Sequence, residues 1–305
     1  MELFYSPAYV AAADSFDTTR KARWLAERLC ADSADAIRLR PPEPLTQDQL
    51  CAVHDPRYVC AVRAGQPREL AESQDLRWDE QIWIMACAQN GGVLAAARAA
   101  VRDGVSGTLS SGLHHARRAR GAGFCTFNGL ALGAHMAMDE GARAVLILDL
   151  DAHCGGGTYS LAAGEPRIWH VDVATSDYDA YAPGGHHTLD LVTDAGDYLP
   201  SIQTRLQALE RRGPHFDLCL YNAGMDPCED CDVGGLRNVT RAMLAERETL
   251  VFDWCCARSI PIAFVLAGGY TGPRLDVPGL VDLHSLTISA ASEVERNSEV
   301  TDAKR

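Results

Sequence analysis

The chain has 305 residues, 47% apolar and 23% charged, which is enough for one large domain around a single core and too long for a peptide module. Its 28 basic residues against 41 acidic ones leave a formal net charge of -13, which opposes a phosphate backbone, disfavours direct nucleic-acid binding and suits neutral or cationic substrates. No run approaches the roughly 18 apolar residues of a spanning helix, the opening Met1, Glu2, Leu3 lacks the basic start of a secretory signal, and eleven cysteines are too dilute for a disulfide scaffold; a cytoplasmic protein with mostly buried thiols and no membrane span is expected.

No repeat, low-complexity linker or block of like charges interrupts residues 4–291, so one domain over 1–291 is expected, followed by a polar, flexible tail over 292–305. In chain order the patterning predicts a helix over 16–29, a longer one over 80–102, a short strand over 108–110 and a helix over 128–139. Strands over 145–149 and 168–173 follow, then a helix over 197–212, a strand over 216–221, a helix over 239–258 and a strand over 261–267. The helix over 239–258 is expected to place Met243, Leu250, Val251 and Trp254 on one face. Apolar strands alternating with helices give an α/β fold, a parallel sheet with helices on both faces. Ligands of such sheets lie beyond the carboxyl ends of the strands, so chemistry is expected in the residues that follow each strand.

Those residues carry it. The strand over 108–110 runs into Ser111, Gly112, Leu113, His114 and His115, and the strand over 145–149 into Leu150, Asp151, Ala152 and His153. Asn222, Ala223, Gly224, Met225 and Asp226 follow the third strand end, and Gly268, Gly269 and Tyr270 the fourth. Asp151 and His153 are two apart and in extended backbone point to one side, where Asp226 from a neighbouring strand can complete a metal site. One nitrogen and two carboxylates suit Zn2+ with a position open for water, and Mn2+ or Fe2+ can also take this oxygen-rich set. The D-x-D-x-H run alone could be a solvated turn; the other strand ends argue against that.

A His-His pair says little by itself, and His186–His187 is a second one, placed after a Pro-Gly-Gly loop where exposed imidazoles cost nothing. Position favours His114–His115 for catalysis. A tyrosine such as Tyr270 beside a glycine turn commonly just bonds a carbonyl. Cys228 and Cys231 form a lone C-x-x-C, read as two oxidisable thiols in a loop near the site, because no second pair stands at zinc-ribbon spacing. Cys30, Cys51, Cys60, Cys87, Cys219, Cys255 and Cys256 read mainly as small core residues.

Taken in order, these blocks resemble the histone deacetylase superfamily, zinc deacylases that share a fold with arginase. The resemblance covers almost the whole chain: Phe16-Asp17-Thr18-Thr19-Arg20-Lys21, His54-Asp55-Pro56-Arg57-Tyr58, Ser110-Ser111-Gly112-Leu113-His114-His115-Ala116, Gly123-Phe124-Cys125 and the strand-end motifs. Tyr221-Asn222-Ala223-Gly224-Met225-Asp226, Gly234-Gly235-Leu236 and Ala267-Gly268-Gly269-Tyr270 are most similar to the class IV branch and its bacterial relatives. The resemblance implies that Asp151, His153 and Asp226 bind Zn2+, that His114 and His115 are the active-site histidines with Asp149 paired to the first, and that Tyr270 hydrogen-bonds the substrate carbonyl. It implies Gly123 and Phe124 as walls of an acyl-lysine channel. It also implies a monovalent cation, K+ or Na+, held by atoms of Asp149, Asp151 and His153, with Asp172 as a fourth residue.

Three positions depart from the family pattern. Cys154 stands where a histidine or glutamine is usual, and Gly156 where an aspartate or asparagine steadies the second histidine, so His115 is expected to lack that partner. Ala182 stands where an aromatic faces Phe124 across the channel; the space it leaves would admit an acyl chain longer than acetyl. The expected activity is zinc-dependent removal of an acyl group from acyl-lysine. Other readings are a deacetylase of acetylated polyamines or another small acylated amine, a non-catalytic acyl-lysine binder, and a ureohydrolase of the arginase type. The last is the weakest, since that chemistry uses two metals and further carboxylates.

Overall fold

Alternation within the central strands divides the core into two layers. In chain order the elements are β1 (Glu2–Phe4), α1 (Asp17–Ala31), β2 (Arg38–Arg40), α2 (Gln47–Cys51), α3 (Pro56–Ala64), α4 (Arg68–Ala71), α5 (Glu80–Asp103), β3 (Val105–Thr108), α6 (Gly129–Asp139), β4 (Val145–Asp149), α7 (Gly156–Ala162), β5 (Ile168–Ala174), β6 (His187–Leu191), α8 (Ala195–Arg212), β7 (Leu218–Gly224), α9 (Arg241–Ala257), β8 (Ile262–Ala267) and α10 (Val277–Asp302). The computed structural model describes residues 1–12, 15–31 and 37–302, with side chains as far as residue 296. Val145 and Ile147 of β4, Leu218 and Leu220 of β7, and Ala263 and Val265 of β8 pack on one face with α5 and α6. Their neighbours Leu146, Leu148, Cys219, Tyr221, Ile262, Phe264 and Leu266 pack on the other with α1, α8, α9 and α10. A strand with period-two side chains that is apolar at every position must be covered on both sides, which is why these runs read as continuously apolar.

All eight strands are parallel, in the order β2-β1-β3-β8-β7-β4-β5-β6. The four strands whose ends were expected to converge, β3, β8, β7 and β4, are therefore consecutive neighbours. Register brings Asp149 level with Asn222 on one side and Asp172 on the other. Helix starts follow local chemistry: Asp79 caps α5 by accepting from the Gln81 and Ile82 N–H groups, and Asn128 caps α6 by accepting from Ala131 N–H.

Several boundaries differ from expectation. The strand expected over 108–110 is β3, three residues earlier, because the backbone leaves the ladder after Thr108 to form the histidine loop. The short strands β1, β2 and β6 and the helices α2, α3, α4 and α7 carry too few residues for a periodic signal. The expected flexible tail instead continues α10 to Asp302, while 303–305 lie outside the described residues. Val294 packs on the core and Glu295 pairs with the Met1 amine, contacts that polar composition conceals. Among the described residues no helix is long and apolar enough to cross a membrane. Cys30, Cys60 and Cys256 are exposed rather than core, whereas Cys87, Cys219 and Cys255 are buried as expected.

The inner face of α9 also differs. It buries Leu244, Arg247, Glu248, Val251, Phe252, Trp254 and Cys255, leaving Met243 and Leu250 half-buried, because an ion pair sits among the apolar residues. Fully buried Arg247 donates to Glu248 Oε1 from Nε (2.8 Å), and Tyr221 Oη donates to the same oxygen (2.8 Å). Its Nη1 donates to the Leu150 carbonyl (3.2 Å) and the Gly224 carbonyl (2.7 Å), joining the ends of β4 and β7 just ahead of Asp151 and Asp226. Arg247→Met should cost about 3–5 kcal/mol, since it strands the buried Glu248 carboxylate and both carbonyls. Urea unfolding measures this, and a loss below about 1 kcal/mol would show that the strand ladder alone holds these ends.

Candidate active site

Asp151, His153 and Asp226, all buried, meet where β4 and β7 end, with one ligand atom from each lying within 4.8 Å of the others. His153 Nδ1 is 3.1 Å from Asp151 Oδ1 and 3.2 Å from Asp226 Oδ2. Asp226 Oδ1 accepts from the Ala152 N–H (3.0 Å), while Oδ2, shut away from solvent, has only the His153 ring beside it. Burial works to lower the His153 pKa, yet Asp151 and Asp226 outweigh it and push it up to about 11. Burial, and then Asp151, push Asp226 upward. Two buried carboxylates drawn up to one imidazole, with no other donor for Asp226 Oδ2, can hold a cation. Its single nitrogen and two oxygen donors fit Zn2+ with a side open to the pocket.

The histidine pair is held by backbone and by carboxylates. Leu113 takes a left-handed φ of 58°, turning the chain so that both rings face the site. Asn128 Nδ2 then pins the loop through the carbonyls of His114 and Ala116 (both 3.1 Å). His114 Nδ1 lies 2.8 Å from Asp149 Oδ2, and Asp149 Oδ1 accepts from Asn222 Nδ2 (2.7 Å). Against burial, Asp149 and Asp151 push His114 up to about 10, so it carries a proton. For His115, burial and then the neighbouring His114 push the pKa down to about 4, so it stays neutral and able to accept one. Their ring centroids are 4.0 Å apart.

His115 does not lack a partner. Its Nδ1 lies 3.0 Å from Oδ2 of Asp179, a residue in the loop between β5 and β6 that the sequence did not single out. Cys154 is buried, its Sγ 3.3 Å from the Ser176 carbonyl. Cys228 and Cys231 are buried free thiols close behind Asp226. The second histidine pair is split: His186 is exposed and stacks on Trp169 (4.1 Å), while His187 is buried as the first residue of β6 and not exposed as expected.

Tyr270 lines the same pocket, after Gly268 and Gly269 at φ 56° and 86°. A Cβ on Gly268 would lie 2.2 Å from Asp226 Oδ1, so only glycine lets this loop pass the metal ligand. Lys21 Nζ (2.9 Å) and Thr18 Oγ1 (3.2 Å) both donate to the Gly268 carbonyl. Burial, with Asp226 and Asp151 nearby, raises the Tyr270 hydroxyl pKa well above its ordinary value, leaving it a neutral donor.

The channel differs from expectation. Gly123 and Phe124 line the pocket, but Ala182 is exposed and does not. The aromatic beside the site is Tyr178, whose ring stands edge-on to His115 (5.0 Å) and His153 (5.8 Å). It is about half exposed, and its hydroxyl would lie 3.2 Å from a Cβ on Gly123, so the ring lies between the two imidazoles and the Gly123 turn. Phe16 stacks on Phe124 at 3.9 Å, and the pocket interior holds only about 30 Å3 of free space. Tyr181 turns away, its hydroxyl 3.3 Å from both His170 Nδ1 and the Thr188 carbonyl.

A second acidic group lies beneath. Asp172 is fully buried and accepts from the Gly155 N–H through Oδ2 (2.7 Å), while Oδ1 has no partner. Burial and then Asp149 push its pKa well above the carboxylate range. A monovalent cation between Asp149 and Asp172 fits this orphaned oxygen.

An acidic metal triad beside two histidines, each held by a carboxylate, suits amide hydrolysis, and comparison with known proteins agrees on the class: a deacetylase-type hydrolase. The histone deacetylase domain model matches residues 16–277, and the chain belongs to that family, in which zinc dependence is the norm. An uncharacterized protein of Picosynechococcus sp. is 31% identical over 83% of this chain and 86% of its own. Histone deacetylase 2 of Arabidopsis thaliana is 29% identical over 60% of this chain, which spans about half (48%) of that relative's length. The human polyamine deacetylase HDAC10 is 31% identical over 41% of this chain and 21% of its own. The solved structure of the HDA15 HD domain superposes with a TM-score of 0.80 at 19% identity, covering 96% of this chain and 89% of that one. For acetylpolyamine aminohydrolase from Burkholderia pseudomallei the TM-score is 0.77 at 20% identity, covering 96% and 99%.

The purified chain should carry about one zinc, and Asp226→Ala should lose it together with activity, as read by metal analysis of the folded proteins. Full metal retention in Asp226→Ala would remove Asp226 from the ligand set.

Proposed function

We propose that the chain hydrolyses the amide of acyl-lysine in proteins or peptides, with Asp151, His153 and Asp226 holding Zn2+. The observation that carries this reading is geometric: two adjacent histidines face the triad, each with Nδ1 on its own carboxylate, His114 on Asp149 (2.8 Å) and His115 on Asp179 (3.0 Å). When bound, zinc supplies Lewis-acid polarisation and lowers the pKa of water towards about 7. Neutral His115 takes the proton of the attacking water and returns it to the leaving amine, which needs it because an amine anion is a very poor leaving group. Charged His114, steadied by Asp149, stabilises negative charge developing near the ligands. Tyr270, neutral and across the pocket, donates its hydroxyl to the carbonyl oxygen as it becomes anionic.

Asp149 and Asp172 are proposed to share K+ or Na+, which would spare the burial of two facing carboxylates. The non-catalytic reading loses its motive, since His115 has a carboxylate partner after all. Deacetylation of a small acylated amine remains the second reading, favoured by the net charge of -13 and by the polyamine-active relatives. Hydrolysis of acetyl-, octanoyl- and myristoyl-lysine in one peptide beside acetylated polyamines tests both; turnover of polyamines alone would overturn the lysine reading.

Two substitutions probe the chemistry. Tyr270→Phe should keep zinc and fold while lowering kcat by about 10² or more; a change below about threefold would point to another oxyanion donor. With Tyr178 packed beside His115 and about 30 Å3 of free space in the pocket, acetyl should be preferred. Tyr178→Ala should raise kcat/KM for octanoyl-lysine relative to acetyl-lysine, because each further methylene buried in the opened space gains up to about 0.8 kcal/mol. An unchanged ratio would place the acyl chain elsewhere.

A further inference from the structure

Asp179 reaches the site from an unexpected direction. Its side chain is about 10% exposed, and its backbone takes a φ of 62°, a conformation non-glycine residues seldom adopt without a reason. Oδ2 faces His115 Nδ1 at 3.0 Å and accepts from the Gly157 N–H (3.1 Å), while Oδ1 pairs with Arg117 Nη2. The same guanidinium donates from Nη1 to the Gly156 carbonyl (3.1 Å), so one arginine grips both the carboxylate and the turn beneath it. The loop is fixed behind by Cys154 N–H donating to the Tyr178 carbonyl (3.0 Å).

Gly156 makes room for this arrangement. A Cβ there would lie 2.3 Å from the Asp179 carbonyl oxygen and 2.7 Å from its Oδ1, so any side chain at 156 and the present Asp179 exclude one another. A carboxylate with one oxygen on an imidazole N–H, the other on an arginine and a backbone donor between them has little freedom to turn. It therefore fixes both the plane and the tautomer of the ring, keeping the proton on Nδ1 and the lone pair of Nε2 free to accept.

We propose that Asp179 is the positioning residue of His115, delivered from the β5–β6 loop into the space left by Gly156 and locked there by Arg117. The assignment rests on the deacylase reading above for its effect on rate, but the state of the ring can be observed without turnover. In the zinc-loaded full chain, Asp179→Ala should lower kcat on an acetyl-lysine peptide by about 10², with KM moving less than about threefold and zinc content kept. Asp179→Asn has one acceptor oxygen where Arg117 and the His115 ring use two, so its amide N–H is turned to Nδ1 and it should be no better than Ala. Nitrogen-labelled histidine NMR, with the His115 signal identified by its loss in His115→Gln, should show a protected Nδ1 proton in the parent but not in Asp179→Ala or Asp179→Asn. Unchanged kcat in Asp179→Ala, an Asn variant with the parent's kcat, or an Nδ1 proton indifferent to the substitutions would each overturn the proposal. A parent that hydrolyses no acyl amide yet shows this NMR pattern would sink the deacylase reading and leave the positioning role standing.

Discussion

Four carboxylates, Asp149, Asp151, Asp172 and Asp226, are buried side by side at the carboxyl ends of three adjacent strands, and most of the site can be understood as the management of that charge. Taking such groups out of water is costly unless positive charge and hydrogen bonds compensate. The fold supplies two kinds of compensation. His114 and His153 hold protons beyond their ordinary range. Lys21, fully buried, contributes a nearby ammonium whose pKa burial pushes down to about 7 although Asp226 and Asp151 pull it back up. What remains is Asp172 Oδ1, with no partner, and Asp226 Oδ2, with only the His153 ring, one at each of the places where a cation fits. Catalytic and structural roles are not separable here: the same negative charge that attracts a metal sets which histidine is charged and keeps Tyr270 protonated.

Much of this was legible because strand ends are local in sequence. Asp151 and His153 are two residues apart, Tyr270 follows its glycines directly, and each apolar run that precedes them is long enough to read. Convergence of the four ends also followed from the α/β pattern, although the neighbour order that brings it about is a property of the whole sheet. The partner of His115 was hidden for the opposite reason. Asp179 is 64 positions from that histidine, in a loop with no periodicity, and nothing in Ser176-Asp177-Tyr178-Asp179-Ala180 marks one aspartate over the other. The visible clue was the empty position at Gly156, which signals that something is missing without saying what replaces it.

The channel expectation met a related limitation. Aligning Ala182 with an aromatic wall assumes that the loop after β5 follows one path, whereas the ring that packs on His115 and His153 belongs to Tyr178, next to the residue that Arg117 holds. The face of α9 failed differently: Arg247 and Glu248 occupy core positions because their charges satisfy each other and two strand-end carbonyls, a use of polar residues that apolar periodicity cannot register.

The neighbour order of the sheet also has a consequence for how the chain is made. β8, the last strand to be synthesised, lies between β3 and β7. Until residues 262–267 leave the ribosome, the strands on either side of that gap have no ladder between them, and each presents an apolar, unpaired edge. The molecule is therefore two incomplete half-sheets for most of its synthesis, joined late by a strand whose contacts are almost all distant in sequence. A nascent chain of this design is most vulnerable to mispairing just before completion, and its metal ligands, divided from His114 and His115 by that same gap, can form a working site only after the seam has closed.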